Sequence, residues 1–322
     1  MSAAAEPAVA RIVEAGGPHV PRLLELVEER LAAIAAGHGD VLAEHAGATI
    51  AAGGKRLRPL LVLLAAGPEA PEAPAVRAAA AVELVHSATL VHDDVLDAAH
   101  LRRGRPTVWS QGGRRMATAT GDLLFSRAFA ELAANGDAGQ VRALSRASSA
   151  LAQGELLQRE DAWNARVPLE RYLHRCELKT ARLFEAACRL GALVAGRAAD
   201  ELALFGHRVG LAFQLLDDVL DVSGPAERTG KHRGTDLLDG TVTLPFILAR
   251  ERDHGLGELD PRAIRTPEQA EEVCDRIAAT GALEASRERA LAYVHDAKSE
   301  LPDVPQRAAL ELVADGVVDR YS

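Results

Sequence analysis

Aromatic residues are scarce in this chain: phenylalanine, tryptophan and tyrosine together make up 3% of its 322 positions. Interior volume must therefore be filled by aliphatic side chains. Cysteine is scarce as well. Its three copies, Cys176, Cys188 and Cys274, form no CxxC pair and no disulfide framework, which fits a reducing compartment. A basic excess is missing: 37 Lys+Arg stand against 46 Asp+Glu, a net charge of −9. Binding a polyanion gains from counterion release only where cations are in excess, so a nucleic-acid partner is excluded and any basic cluster should serve something small. Long apolar runs are also absent. The longest, at residues 60–66, falls far short of the roughly 20 residues a membrane span needs. The N-terminus, MSAAAEPAVARIVEAGG, lacks the basic start and unbroken apolar stretch of a secretion signal. A soluble, cytoplasmic protein is expected.

What remains is plentiful and helix-forming. A content of 48% hydrophobic and 26% charged residues is that of a chain that folds around a large core. Alanine, leucine, arginine and glutamate recur with helical periodicity, and alternating β-branched runs are absent. The pattern predicts an all-α, single-domain bundle of about ten or more helices over 1–322, with the first 20 or so residues poorly ordered. Helices are expected over 20–50, 55–66, 75–98, 114–134, 138–160, 168–196, 199–222, 241–253, 267–280, 282–300 and 304–319. Turn chemistry separates them at 67–74, 101–106, 135–139 and 223–234.

One signature occurs twice. LVHDDVLD carries Asp93, Asp94 and Asp97; QLLDDVLD carries Asp217, Asp218 and Asp221. Positions i and i+4 of a helix lie about 40° apart and i+1 about 100° away. Asp93 and Asp97 thus share a face, as do Asp217 and Asp221, with Asp94 and Asp218 at the flank. Like charges at this spacing repel unless cations lie between them. An all-oxygen donor set is hard, which points to Mg²⁺ or Mn²⁺ rather than zinc. A chance pair of acids on a solvated face would not need the strongly apolar stretches that precede both copies.

Magnesium held by few carboxylates completes its octahedron with phosphate oxygens and water. Cations to meet such phosphates are at hand: Lys55, Arg56 and Arg58 in GGKRLRP, Arg102, Arg103 and Arg105 in LRRGRP, Lys179 in ELKTARL, and Lys231 and Arg233 in GKHRGTD. GPAERTGK imitates a phosphate-binding P-loop, but five residues rather than four separate Gly224 from Gly230, and His232 follows Lys231. His86 and His92 flank the first aspartate motif without the HxxxH spacing of a zinc site.

From GGKRLRP through ELVHSATLVHDDVLDAAHLRRGRPT, GDLLFSRAF, Lys179-Thr180 and FQLLDDVLD to GKHRGTDLLDGTVTLP, the chain resembles the trans-isoprenyl diphosphate synthases, or polyprenyl synthetases. That resemblance implies the isoprenoid synthase fold, a helical bundle around a central prenyl tunnel, acting as a homodimer. It implies condensation of isopentenyl diphosphate with an allylic diphosphate, assisted by about three Mg²⁺ ions, for which Mn²⁺ substitutes. Carried over by motif, Asp93, Asp97 and Asp217 would be the principal metal ligands, assisted by Asp94, Asp218 and Asp221. Arg102, Lys179 and Lys231 would grip the allylic diphosphate, and Lys55, Arg58, His86 and Arg103 would bind isopentenyl diphosphate. Thr180 and Gln214 would face the developing allylic cation.

The resemblance also implies that the tunnel beneath Asp93 measures the product, about one isoprene unit per helical turn of roughly 5.4 Å. Ala88 and Thr89 occupy positions where short-chain members carry an aromatic block, and Val85, Val82 and Ala81 below them are not bulky. This suits a C30 to C50 product. If Phe125, on the neighbouring helix, caps the tunnel, the product is a C20 or even a C15 diphosphate; ordinary core packing is the other reading of that side chain. A class I terpene cyclase and the catalytically silent partner of a heterodimeric synthase are remoter readings. The former normally has a different second metal motif, and the latter would lack acidic motifs.

Overall fold

A helix that is apolar on every face has to be enclosed by others. The computed structural model describes residues 5–51, 54, 56–102, 104–224 and 233–319, and the stretch PLLVLLAA, after Arg58, is such a helix. In chain order the helices are α1 (Ala5–Gly16), α2 (His19–Ala36), α3 (Asp40–Ala51), α4 (Leu57–Ala66), α5 (Glu72–Leu96), α6 (Val108–Ala133), α7 (Ala138–Asp161), α8 (Leu169–Cys176), α9 (Arg182–Val194) and α10 (Ala199–Ser223). Further helices at Leu244–Arg252, Pro267–Ala279, Ala282–Ser299 and Arg307–Asp319 follow, with short turns at Thr235–Leu238 and His254–Gly257. Among the described residues the protein is all-α apart from a short antiparallel ladder, Leu101–Arg102 against Arg105–Pro106, in the expected turn at 101–106.

Every residue of α4 from position 59 to 66 is buried. α2, α5 and α9 enclose it, and α9 in turn packs against α5, α7 and α10, which makes α9 the hub of the bundle. Close approach at this hub depends on Gly191. A methyl group there would lie 2.2 Å from the Val62 carbonyl oxygen and 2.7 Å from Ala65 Cβ. The core is aliphatic, as the shortage of aromatics requires; the few rings that are fully enclosed include Phe184, Phe205 and Phe246. All three cysteines are buried and free.

Four boundaries differ from expectation, each for a local reason. The helix expected over 20–50 is two, α2 and α3, because Gly37 ends α2 with its N–H donated to the Ile34 carbonyl. The helix expected from 114 starts at Val108, where the Thr107 hydroxyl caps the Ser110 N–H, and its path is interrupted at Gly113, with φ +70°. The span 168–196 is continuous but holds a π turn, Glu177–Ala181, between α8 and α9. Finally, residues 5–16 are not a frayed tail: α1 packs on Arg307–Asp319, with Ile12 in the core. No helix among the described residues is long and apolar enough to cross a membrane.

Replacing Gly191 by valine drives branched carbon into the α4 backbone, and overpacking of this kind destabilises by about 3 kcal/mol. A urea unfolding curve of Gly191→Val is expected to shift to a lower midpoint with an unchanged slope. An unshifted midpoint would mean that α4 and α9 can part without loss.

Candidate active site

Both aspartate motifs occupy the last turns of long helices, α5 and α10, after stretches that are buried nearly throughout. The helical angle between neighbours divides each motif in two. Asp94 and Asp218 point inward and are 4% and 3% exposed, whereas Asp97 and Asp217 are exposed and Asp93 and Asp221 half-buried. A carboxylate taken out of water needs partners. Asp94 accepts a hydrogen bond from Arg102 Nε at 2.8 Å. Asp218 accepts from the Tyr172 hydroxyl at 2.5 Å and from Gln214 Nε2 at 2.8 Å. Burial nevertheless dominates and pushes the Asp218 carboxyl up to about 8, helped by the nearby charge of Asp236.

The two motifs are linked through the π turn. A π turn widens a helix by one residue and re-aims the side chains around it. Lys179 and Thr180 lie in this one. Lys179 Nζ donates to Glu155 of α7 at 2.7 Å, and the Thr180 hydroxyl donates to Gln214 Oε1 of α10 at 2.5 Å. Both flanking helices come close because they present glycine: a Cβ on Gly154 would lie 2.7 Å from Lys179 N, and one on Gly210 would lie 2.6 Å from Ala181 Cα. Lys179 is also near enough to act on Asp93. Burial raises that carboxyl to about 6, while Lys179 and Arg102 lower it and Glu155 and Asp97 raise it. Hydrogen bonds therefore run from the π turn through Thr180 and Gln214 to Asp218, while the charge of Lys179 acts on Asp93.

Of the expected diphosphate ligands, Arg102 and Lys179 stand beside the first motif. Arg58 lies on α4 with its guanidinium 4.7 Å from the centre of the Phe184 ring, and His86 is half-buried on α5. Lys55, Arg103 and Lys231 lie outside the described residues. Arg233 is engaged elsewhere, with the Val222 carbonyl and Asp275. Among the chain-length residues, Ala88 is fully buried, as are Val85, Val82 and Ala81, and Thr89 donates its hydroxyl to the His86 carbonyl at 2.8 Å. Phe125 stacks on His92, the residue before Asp93, with ring centres 5.8 Å apart.

Three participants were not foreseen. Glu155 holds Lys179, Arg159 donates to Asp97 at 2.6 Å and to Glu155 at 2.9 Å, and Tyr172 holds Asp218. Glu155 and Arg159 gave no signal beyond their i, i+4 spacing, and Tyr172 none beyond its rarity.

Among the described residues no three acidic, imidazole or thiol side chains form a ready-made metal cage. The donors present do fit a hard cation: they are carboxylate oxygens divided between two helices, and around Asp93 stand two further carboxylates, Glu155 and Asp97, with Lys179 and Arg102.

The sequence profile of the polyprenyl synthetase family matches residues 40–279. The chain is 38% identical to heptaprenyl diphosphate synthase component 2 of Geobacillus stearothermophilus over 91% of its own length and 93% of the relative's. It is 36% identical to the geranylgeranyl diphosphate synthase of Methanosarcina mazei, over 84% of this chain and 86% of that one. The crystal structure of a polyprenyl synthase from Caulobacter crescentus, complexed with calcium and isoprenyl diphosphate, superposes with a TM-score of 0.87 at 34% identity, covering 100% of this chain and 99% of that one.

The raised Asp218 carboxyl has a consequence for stability. The folded protein holds that proton more tightly than the unfolded chain does, so Asp218 contributes stability at low pH that is lost as pH rises from about 4 to about 8. The neutral amide of Asp218→Asn lacks this slope. In metal-free buffer the stability of the wild type relative to Asp218→Asn is expected to fall between pH 5 and pH 8; a gap that stays constant across this range would contradict the assignment.

Proposed function

The chain belongs to the polyprenyl synthetase family, and on that premise we propose that it joins isopentenyl diphosphate head to tail to an allylic diphosphate, making an all-trans polyprenyl diphosphate of C30 to C50. The observation that carries this reading is the pair of outward aspartate faces on α5 and α10 linked through the π turn that bears Lys179 and Thr180.

The chemistry is an ionisation followed by an addition, and the protein needs no nucleophile. Mg²⁺ held by Asp93, Asp97 and Asp217, with Asp94, Asp218 and Asp221 behind them, would supply Lewis acidity to the departing diphosphate. Arg102, Lys179 and Lys231 add fixed positive charge on the side where negative charge grows. Lys179 rests on Glu155 until a diphosphate competes for it. Because Gln214 gives its N–H to Asp218 and its oxygen to the Thr180 hydroxyl, its amide is held in one orientation. The oxygens of Thr180 and Gln214 then face the carbon that becomes cationic. Lys55, Arg58, His86 and Arg103 hold isopentenyl diphosphate so that its double bond meets that carbon. Two separate anion subsites solve a positioning problem that diffusion alone solves slowly. The released diphosphate takes up the proton lost from the adduct.

Small buried side chains at 81, 82, 85 and 88 support a long tunnel and a medium or long product, as does the heptaprenyl relative. A C20 product is the second reading, favoured by Phe125 beside His92 and by the geranylgeranyl relative. A homodimer follows from the family resemblance; the designation of the Geobacillus relative as a component makes a second, different chain the competing arrangement.

The purified protein is expected to elongate geranyl, farnesyl or geranylgeranyl diphosphate with isopentenyl diphosphate in Mg²⁺ or Mn²⁺ and to stop in EDTA, and Asp217→Ala should lower kcat by about a thousandfold. Failure with all three primers would refute the proposal. Ala88→Phe is expected to shorten the product to C15 or C20 by mass spectrometry, with Thr89→Phe as the alternative if the buried ring prevents folding. An unchanged product distribution would place the ruler elsewhere.

A further inference from the structure

In GGKRLRP, Arg56 stands among the residues assigned above to isopentenyl diphosphate, yet its side chain is engaged elsewhere. Its backbone is left-handed, with φ +48° and ψ +36°, a conformation that residues with a Cβ rarely adopt. The Arg56 carbonyl accepts the Leu60 N–H at 2.9 Å, so this strained residue also begins α4. Four hydrogen bonds hold it. Nε and Nη2 form a fork on Glu28 of α2, at 2.5 and 3.0 Å. Nη1 donates to Glu83 of α5 at 2.6 Å, and Nη2 also donates to the Ile50 carbonyl at the end of α3, at 2.8 Å. The Arg56 and Glu83 side chains are only 13% and 7% exposed. A planar guanidinium suits such a junction, because its donors leave in fixed directions and each can anchor a different element.

The positions of the partners give the junction a purpose. Glu83 lies one helical turn before His86 on α5, and Arg58 follows Arg56 by two residues on α4. The clamp therefore fixes α4, with Arg58, against the part of α5 that carries His86. We propose that Arg56 is a positioning residue: bound to Glu28 and Glu83, it sets Arg58 and His86 at the separation an incoming isopentenyl diphosphate requires, and does not itself touch that substrate. This rests on the functional reading above for the identity of the ligand, while the clamp itself rests on geometry alone.

Two measurements separate the clamp from that reading. In steady-state kinetics with Mg²⁺, Arg56→Met and Glu83→Gln are each expected to raise KM for isopentenyl diphosphate about tenfold, with kcat and the primer KM within about twofold of wild type. The double variant should be no worse than either single one, because both break the same unit. Glu28→Gln, at the solvent-exposed end of the clamp, should show the same selective rise and serves if Glu83→Gln does not fold. An unchanged KM for isopentenyl diphosphate, an equal change in the primer KM or in kcat, or a double variant whose effects multiply would overturn the proposal; the last is the signature of an Arg56 that binds substrate directly. Amide hydrogen exchange on the same variants should speed up over residues 56–60, and unaltered exchange there also overturns it. Wild-type protein that turns over no primer would sink the functional reading alone, leaving exchange to decide the clamp.

Discussion

Carboxylates crowded at the end of an apolar helix repel each other and resist burial, and much of the arrangement around α5 and α10 is a response to that fact. Neither helix can simply bring its aspartates to water, because the residues just before them belong to the core. Each motif is divided instead. One aspartate turns inward and is satisfied, by Arg102 in one case and by Tyr172 and Gln214 in the other, while the i, i+4 pair faces outward. The inward aspartate fixes the rotation of the helix end, and the outward pair is thereby aimed. Asp97 is held by Arg159 and Asp221 accepts the Asp236 N–H, contacts that a divalent cation and a diphosphate would replace.

The same economy governs the cations. Lys179 is paired with Glu155, Arg159 with Asp97, and Arg102 with Asp94. Lys179 and Arg159 meet partly exposed partners in charge-assisted contacts, strong enough to select a rotamer and weak enough to be exchanged for a phosphate oxygen, whereas Arg102 meets the buried Asp94. Arg56 is the contrast. Its contacts reach a buried glutamate, Glu83, so it stays where it is. What marks Arg56 as scaffolding is the number of elements it joins: it ties α2, α3 and α5 to the start of α4.

The all-α architecture and the aspartate faces were legible because both are periodic: apolar positions repeat with the helical turn, and DDxxD places its first and last residues on one face by arithmetic. Asp94 and Asp218 followed from the same arithmetic, since i+1 has to point elsewhere. The π turn was not legible. It depends on Gly154 and Gly210 letting α7 and α10 approach the chain at Lys179 and Ala181, and those contacts join residues far apart in sequence. Glu155, Arg159 and Tyr172 were hidden for the same reason, as their roles come from partners on other helices. The N-terminal helix was not legible because it docks on Arg307–Asp319, a partner at the far end of the sequence.

Scarcity of aromatic residues connects the fold to the substrate class. A tunnel for a growing isoprenoid chain needs apolar walls that do not block it, and alanine and valine at 81, 82, 85 and 88 provide surface without reach. Small side chains also let helices approach closely, which is how α4 and α9 come within contact at Gly191. The composition that packs this hub is also the one an unobstructed channel would require. A bundle built from large rings would obstruct such a channel, so the 3% aromatic content agrees with a medium or long product as well as with close packing.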